Sequence, residues 1–126
     1  MTDAPERQYK ILVVDDEPVI RQMLAKILPV AGPYEVVGAE GAEEALQKIG
    51  QSTFDLIFLD ILMPKVEGHE ALRKIRAACR TPVVILSGYL PEHGQKDILN
   101  AGAAACLEKP IEIEKVLAIV KNILKS

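Results

Sequence analysis

Cysteine and histidine are scarce in this sequence of 126 residues, with two of each. Cys79 and Cys106 stand far apart and form no C-x-x-C pair, and His69 and His93 are scattered. These counts argue against a disulfide framework and against a structural zinc site. Both kinds of residue then read as ordinary packed or surface positions. No apolar run approaches the roughly 20 residues that a bilayer span requires. The first ten residues are polar, unlike a secretory leader, so the expected setting is cytoplasmic with no membrane contact. Charge of one sign is not in excess either. Fifteen Lys and Arg against eighteen Asp and Glu give a net charge of −3, which excludes a strongly basic nucleic-acid footprint. Repeats, low-complexity tracts and linkers are absent.

What remains is the composition of one globular domain, 49% hydrophobic and 26% charged. Short apolar runs alternate with longer amphipathic segments. Ile11-Leu12-Val13-Val14, Leu56-Ile57-Phe58-Leu59 and Val83-Val84-Ile85-Leu86 are apolar throughout, as strands buried on both faces must be. Tyr34 to Ala39 is a weaker strand expected at an edge, and Ala103 to Leu107 a short fifth. Between them run helical stripes. The first holds Val19, Ile20, Met23, Leu24, Ile27 and Leu28, with Pro18 opening it and Pro29 near its end. A second, from Ala42 to Ile49, stops at Gly50, and a third runs through Ala71, Leu72, Ile75 and Ala78. Pro91 opens a fourth that ends at Gly102, and Ile113 to Leu124 carry the fifth. Five strand–helix units in alternation imply an α/β fold, a parallel sheet joined by right-handed crossovers and covered on both faces.

In such folds the functional crevice lies beyond the carboxyl ends of the strands. After the first strand comes Asp15-Asp16-Glu17, after the third Asp60, after the fourth Ser87-Gly88, and after the fifth Lys109-Pro110. Taken singly, each is unremarkable: Asp16 or Glu17 can cap a helix, Asp60 and Ser87-Gly88 suit turns, and Lys109-Pro110 suits a loop. Together they place several acids on one rim. Two carboxylates about 4 Å apart repel by roughly 4 kcal/mol at an effective dielectric near 20. A hard divalent cation such as Mg²⁺ removes that repulsion, and one carboxylate can then act as a nucleophile toward phosphorus.

Four stretches carry a resemblance: Ile11 to Glu17, Asp60-Ile61-Leu62-Met63-Pro64 with Gly68, Ser87-Gly88, and Gly102-Ala103 through Lys109-Pro110. In this order and spacing they resemble the receiver domain of two-component response regulators, over about residues 8–125. The resemblance implies a flavodoxin-like (βα)5 doubly wound sheet of order 2-1-3-4-5, with a polar lead-in at 1–8 and the receiver domain at 9–125. It implies that Asp60 accepts a phosphoryl group from a sensor histidine kinase or a histidine phosphotransfer protein. Asp15, Asp16, Asp60 and the backbone carbonyl of Leu62 would hold Mg²⁺, Asp15 mainly through water. Ser87 would be the switch hydroxyl. Lys109 would pair with the phosphoryl group, joined to Pro110 by the cis peptide usual in the family. Glu17 is assigned to the charge at the helix N-terminus.

Two departures from the family pattern stand out. Cys106 occupies the switch position that usually holds Tyr or Phe three residues before the lysine, which implies weaker coupling to the face of the fourth helix, fifth strand and fifth helix. Leu62 and Tyr89, the tuning positions beside the phosphoryl site, are neither acidic nor amides, so slow dephosphorylation is expected. With nothing after the fifth helix, signalling is expected through contact with a downstream protein, with no direct nucleic-acid binding and with a homodimer open. An interaction-only pseudo-receiver and an aspartate-nucleophile phosphohydrolase are the competing functions. A flavin-binding module is weaker, because Asp15-Asp16-Glu17 stands where a phosphate-binding loop wants Ser, Thr and Gly.

Overall fold

The computed structural model describes the backbone of residues 8–61, 66–88 and 92–125, and the side chains of those residues other than 61, 66–69 and 92–95. Ten elements alternate among the described residues: β1 (Tyr9–Val14), α1 (Pro18–Ala31), β2 (Tyr34–Ala39), α2 (Ala42–Gln51), β3 (Leu56–Ile61), α3 (Val66–Ala78), β4 (Val83–Ser87), α4 (Glu92–Asn100), β5 (Ala105–Glu108) and α5 (Ile113–Leu124). All strand pairs are parallel, in the order β2-β1-β3-β4-β5.

Alternation within the apolar strands explains why both faces need a cover. Ile11, Val13, Leu56, Phe58, Val84 and Leu86 share one face, packed against Leu24 and Leu28 of α1 and Val116 and Val120 of α5. Leu12, Val14, Ile57, Leu59, Val83 and Ile85 share the other, packed against Ala45 of α2, Leu72 and Ile75 of α3, and Ile98 of α4. The sheet has no solvated face, so its polar work is confined to its two rims. At the rim where the strands begin, the polar groups bond to one another. Asp55 Oδ2 accepts the Lys10 N–H at 2.8 Å, the Asp55 N–H returns to the Lys10 carbonyl at 2.7 Å, and Thr81 Oγ1 donates to the Phe54 carbonyl at 2.9 Å.

Several boundaries differ from the sequence expectation. β1 begins at Tyr9 because Tyr9 and Lys10 pair with Tyr34 and Glu35. α1 passes Pro29 and closes on Gly32, whose N–H donates to the Leu28 carbonyl at 3.2 Å. Pro29 has no N–H to donate to the Ala25 carbonyl, a loss that falls on the exposed side of the helix, where both residues lie. Val19, on the expected apolar stripe, is 65% exposed. β5 starts at Ala105, later than expected, because residues 102–104 turn the chain: Gly102 adopts φ 115°, and the Ala103 N–H caps α4 on Ile98. Pro91 lies outside the described residues.

Leu28 is fully buried, whereas Val30 on the same helix is 88% exposed. Leu28→Ala is expected to lower stability by about 2–5 kcal/mol and Val30→Ala to change it by no more than about 0.5 kcal/mol, read by urea unfolding.

Candidate functional site

Register decides what meets at the opposite rim. Val14 pairs with Leu59, so Asp15, just past the end of β1, comes beside Asp60, which lies within β3 and not after it because Asp60 and Ile61 still pair with Leu86 and Ser87. Ser87 pairs with both Ile61 and Glu108, and the Lys109 N–H donates to the Ser87 carbonyl at 2.6 Å. The Lys109–Pro110 peptide is cis. Asp15, Asp16, Asp60 and Lys109 thus come together, with buried Ser87 on the neighbouring strand.

Lys109 Nζ lies 2.6 Å from Glu17 Oε1, 3.1 Å from Asp60 Oδ1 and 3.2 Å from Asp15 Oδ2. The Asp15 and Asp60 side chains are 0% and 4% exposed, while that of Glu17 is half-exposed and Asp16 faces solvent. Burial pushes the Asp60 carboxyl above its ordinary pKa. The Lys109 bond opposes that shift, and the charges of Asp15 and Asp16 add to it. Burial alone would lower the Lys109 pKa. The surrounding carboxylates of Glu17, Asp60 and Asp15 outweigh it, raising the pKa so that the side chain stays an ammonium.

One lysine does not satisfy this set. Among the described residues, Asp60 Oδ2 and Asp15 Oδ2 are buried without a hydrogen-bond partner, and Lys109 approaches Asp15 Oδ2 as an ion pair. One ligand oxygen from each of Asp15, Asp16 and Asp60 fits within 4.8 Å of the others. Hard carboxylate oxygens, two of them buried and short of partners, are a donor set that fits Mg²⁺.

Glu17 stands at the helix N-terminus, in line with its sequence assignment, and makes a further contact that the sequence did not indicate. It sits at the N-cap position of α1 without a side-chain cap bond, and its carboxylate turns to Lys109. Asp15 Oδ1 accepts the Glu17 N–H instead, at 2.9 Å. Cys106 packs half-buried against the α2–α3–α4 side of the sheet, and burial raises its thiol pKa, so it is a protonated packing residue. A cavity of about 380 Å³ opens beside it, toward Lys109 and Pro110. Leu62 and Tyr89 lie outside the described residues. Sequence reasoning missed Arg21, whose guanidinium donates to the Asp15 carbonyl at 2.6 Å.

The family profile of the response regulator receiver domain matches residues 11–121. A CpxR homologue of Haemophilus influenzae, a transcriptional regulatory protein, is 35% identical over 92% of this chain and 50% of its own length. A protein-glutamate methylesterase/protein-glutamine glutaminase of Syntrophus aciditrophicus is 40% identical over 80% of this chain and 30% of its own. The chain therefore spans half or less of these curated relatives. Among solved structures, a two-component response regulator from Clostridium difficile superposes with a TM-score of 0.86 at 33% identity, covering 94% of this chain and 97% of that one. Chemotaxis protein CheY4 of Vibrio cholerae gives 0.81 at 32% identity, over 93% and 99%.

Two predictions follow from the carboxylate geometry. In chelator, Asp60→Asn is expected to raise stability at neutral pH by roughly 1 kcal/mol, because it removes a buried charge. A carboxyl whose folded pKa is raised favours the fold when protonated. The wild type should therefore gain on the variant as the pH falls from neutral into the acid range, a trend that paired thermal melts would read. Mg²⁺ at about ten times its Kd should add about 1.4 kcal/mol to wild-type stability, and Asp16→Asn should reduce that increment.

Proposed function

The chain belongs to the response-regulator receiver domain family, and on that premise we propose that it is a signalling switch phosphorylated on Asp60. The observation that carries this reading is the state of the Asp60 side chain. It is nearly buried, with one oxygen on Lys109 and the other without a hydrogen bond, beside Asp15 and Asp16.

Asp60 attacks the phosphorus of a phosphohistidine on a histidine kinase or phosphotransfer protein. The new bond joins phosphorus to a carboxylate oxygen while the nitrogen–phosphorus bond breaks. Its electron pair returns to the imidazole, which takes up a proton. Asp15, Asp16 and Asp60, with the Leu62 carbonyl that the family resemblance adds, would hold Mg²⁺, which would supply charge neutralisation for the phosphoryl group. Lys109 keeps its proton and supplies the second positive charge. To meet a phosphoryl oxygen it must loosen one of its three carboxylates. Glu17 is the cheapest to release, because water re-solvates a half-exposed carboxylate far more readily than the buried Asp15 or Asp60. The Ser87 hydroxyl then turns toward the phosphoryl group as the switch contact.

The partners are a phosphohistidine donor and a downstream protein, with a cytoplasmic setting. No helix among the described residues is long and apolar enough to cross a membrane. The modification is stoichiometric, so this domain is not a turnover enzyme. The methylesterase relative matches over only 30% of its length, and its esterase activity is not carried over.

Incubation with acetyl phosphate and Mg²⁺ should add one phosphoryl group, seen as a single adduct by intact-protein mass spectrometry. Chelator and Asp60→Asn should each abolish it. An adduct that persists in Asp60→Asn would remove the assignment.

A further inference from the structure

Gly38 stands inside β2, where a missing side chain weakens a strand and marks a close approach by another group. The approaching group is Arg21 of α1. A Cβ on residue 38 would lie 3.2 Å from Arg21 Cδ and 3.6 Å from its Nε, so glycine makes the room in which the arginine stem lies against the strand. From that seat the guanidinium donates to the Asp15 carbonyl at 2.6 Å. The strand beneath is itself tied down, because Lys48 Nζ donates to the Gly38 carbonyl at 2.6 Å.

We propose that Arg21, seated over Gly38, is a positioning residue for the cation-binding carboxylates, acting by holding the Asp15–Asp16 peptide. This rests on the reading that Asp15, Asp16 and Asp60 hold Mg²⁺. The Asp15 carbonyl and the Asp16 N–H share one rigid peptide plane, so fixing the carbonyl fixes the direction in which residue 16 leaves the strand. Asp15 is held at three points. Its N–H donates to the Ala39 carbonyl at 3.0 Å, its carbonyl accepts from Arg21, and its Oδ1 accepts the Glu17 N–H at 2.9 Å. Only Oδ2 is left for the site, where it lacks a hydrogen bond. A turn fixed in this way presents Asp15 Oδ2 and the exposed Asp16 carboxylate without further ordering when a cation arrives.

The sign of one substitution separates positioning from simple electrostatics. Arg21 is a cation next to a cation site, so if charge alone mattered, neutralising it would tighten Mg²⁺. If the peptide must be held, neutralising it weakens Mg²⁺. Arg21→Met keeps the stem over Gly38 and removes the donors. Gly38→Ala substitutes no site residue and crowds the Arg21 stem by a few tenths of an ångström.

The experiment is a MgCl2 titration at constant ionic strength, followed by amide chemical shifts, on the wild type, the two single variants and the double variant. Melting in chelator reports that each variant is folded, and Gly38→Ala carries the test by itself if Arg21→Met does not fold. The expectation is that Arg21→Met raises the Kd about tenfold and Gly38→Ala about threefold, with no further rise in the double variant. An unchanged or lowered Kd in folded Arg21→Met overturns the proposal, as does an unchanged Kd in Gly38→Ala or single effects that multiply in the double variant. Wild type without a saturable response would instead remove the Mg²⁺ reading, and this inference with it.

Discussion

A buried carboxylate must be matched by positive charge, and at this rim one ammonium does the matching for three acids. Lys109 touches Asp15, Asp60 and Glu17, yet two buried carboxylate oxygens stay short of hydrogen bonds. The site is thus left with an excess of negative charge that the fold tolerates at some cost in stability. On the proposed reading, that excess is what would draw a cation to the rim and let the cation offset the charge of an incoming phosphoryl group. A more complete set of internal bonds would make a steadier protein and a poorer acceptor.

The rest of the architecture keeps this arrangement in one place. Because both faces of the sheet are apolar and covered, polar groups collect at the strand ends, and the two ends are treated differently. At the starting rim Asp55, Lys10, Thr81 and Phe54 close on one another. At the finishing rim the bonds go to the main chain around the acids, through Arg21 and the Glu17 N–H, while the carboxylate oxygens that matter are left open. Polar groups are matched to one another at one end of the strands and carboxylate oxygens are left open at the other.

Much of this was legible in the sequence because it depends on local pattern. Four apolar residues in a row, as at Ile11–Val14 or Val83–Leu86, have few places to go but a doubly covered strand, and the residues just after them then fall on one rim. Less legible were features set by distant partners. The start of β1 at Tyr9 needs β2 beside it, and the late start of β5 follows from the turn at Gly102. Glu17 has the position of a helix cap, and only the three-dimensional fold brings it to Lys109, 92 residues away. Arg21 belongs to no motif, and its one sequence trace is the glycine it lies against. Helix periodicity overreached at Val19, which falls on the apolar stripe but faces solvent.

The Lys48 ammonium on the Gly38 carbonyl has a consequence beyond the acidic rim. β2 is the outermost strand on its side, and an outermost strand offers main-chain groups on which another chain can build. Lys48 places a charge on one of those acceptors, and Arg21 lies against the same residue. On the opposite side β5 is only four residues long, a poor template for further pairing. The sheet is thereby discouraged from growing sideways into a neighbour.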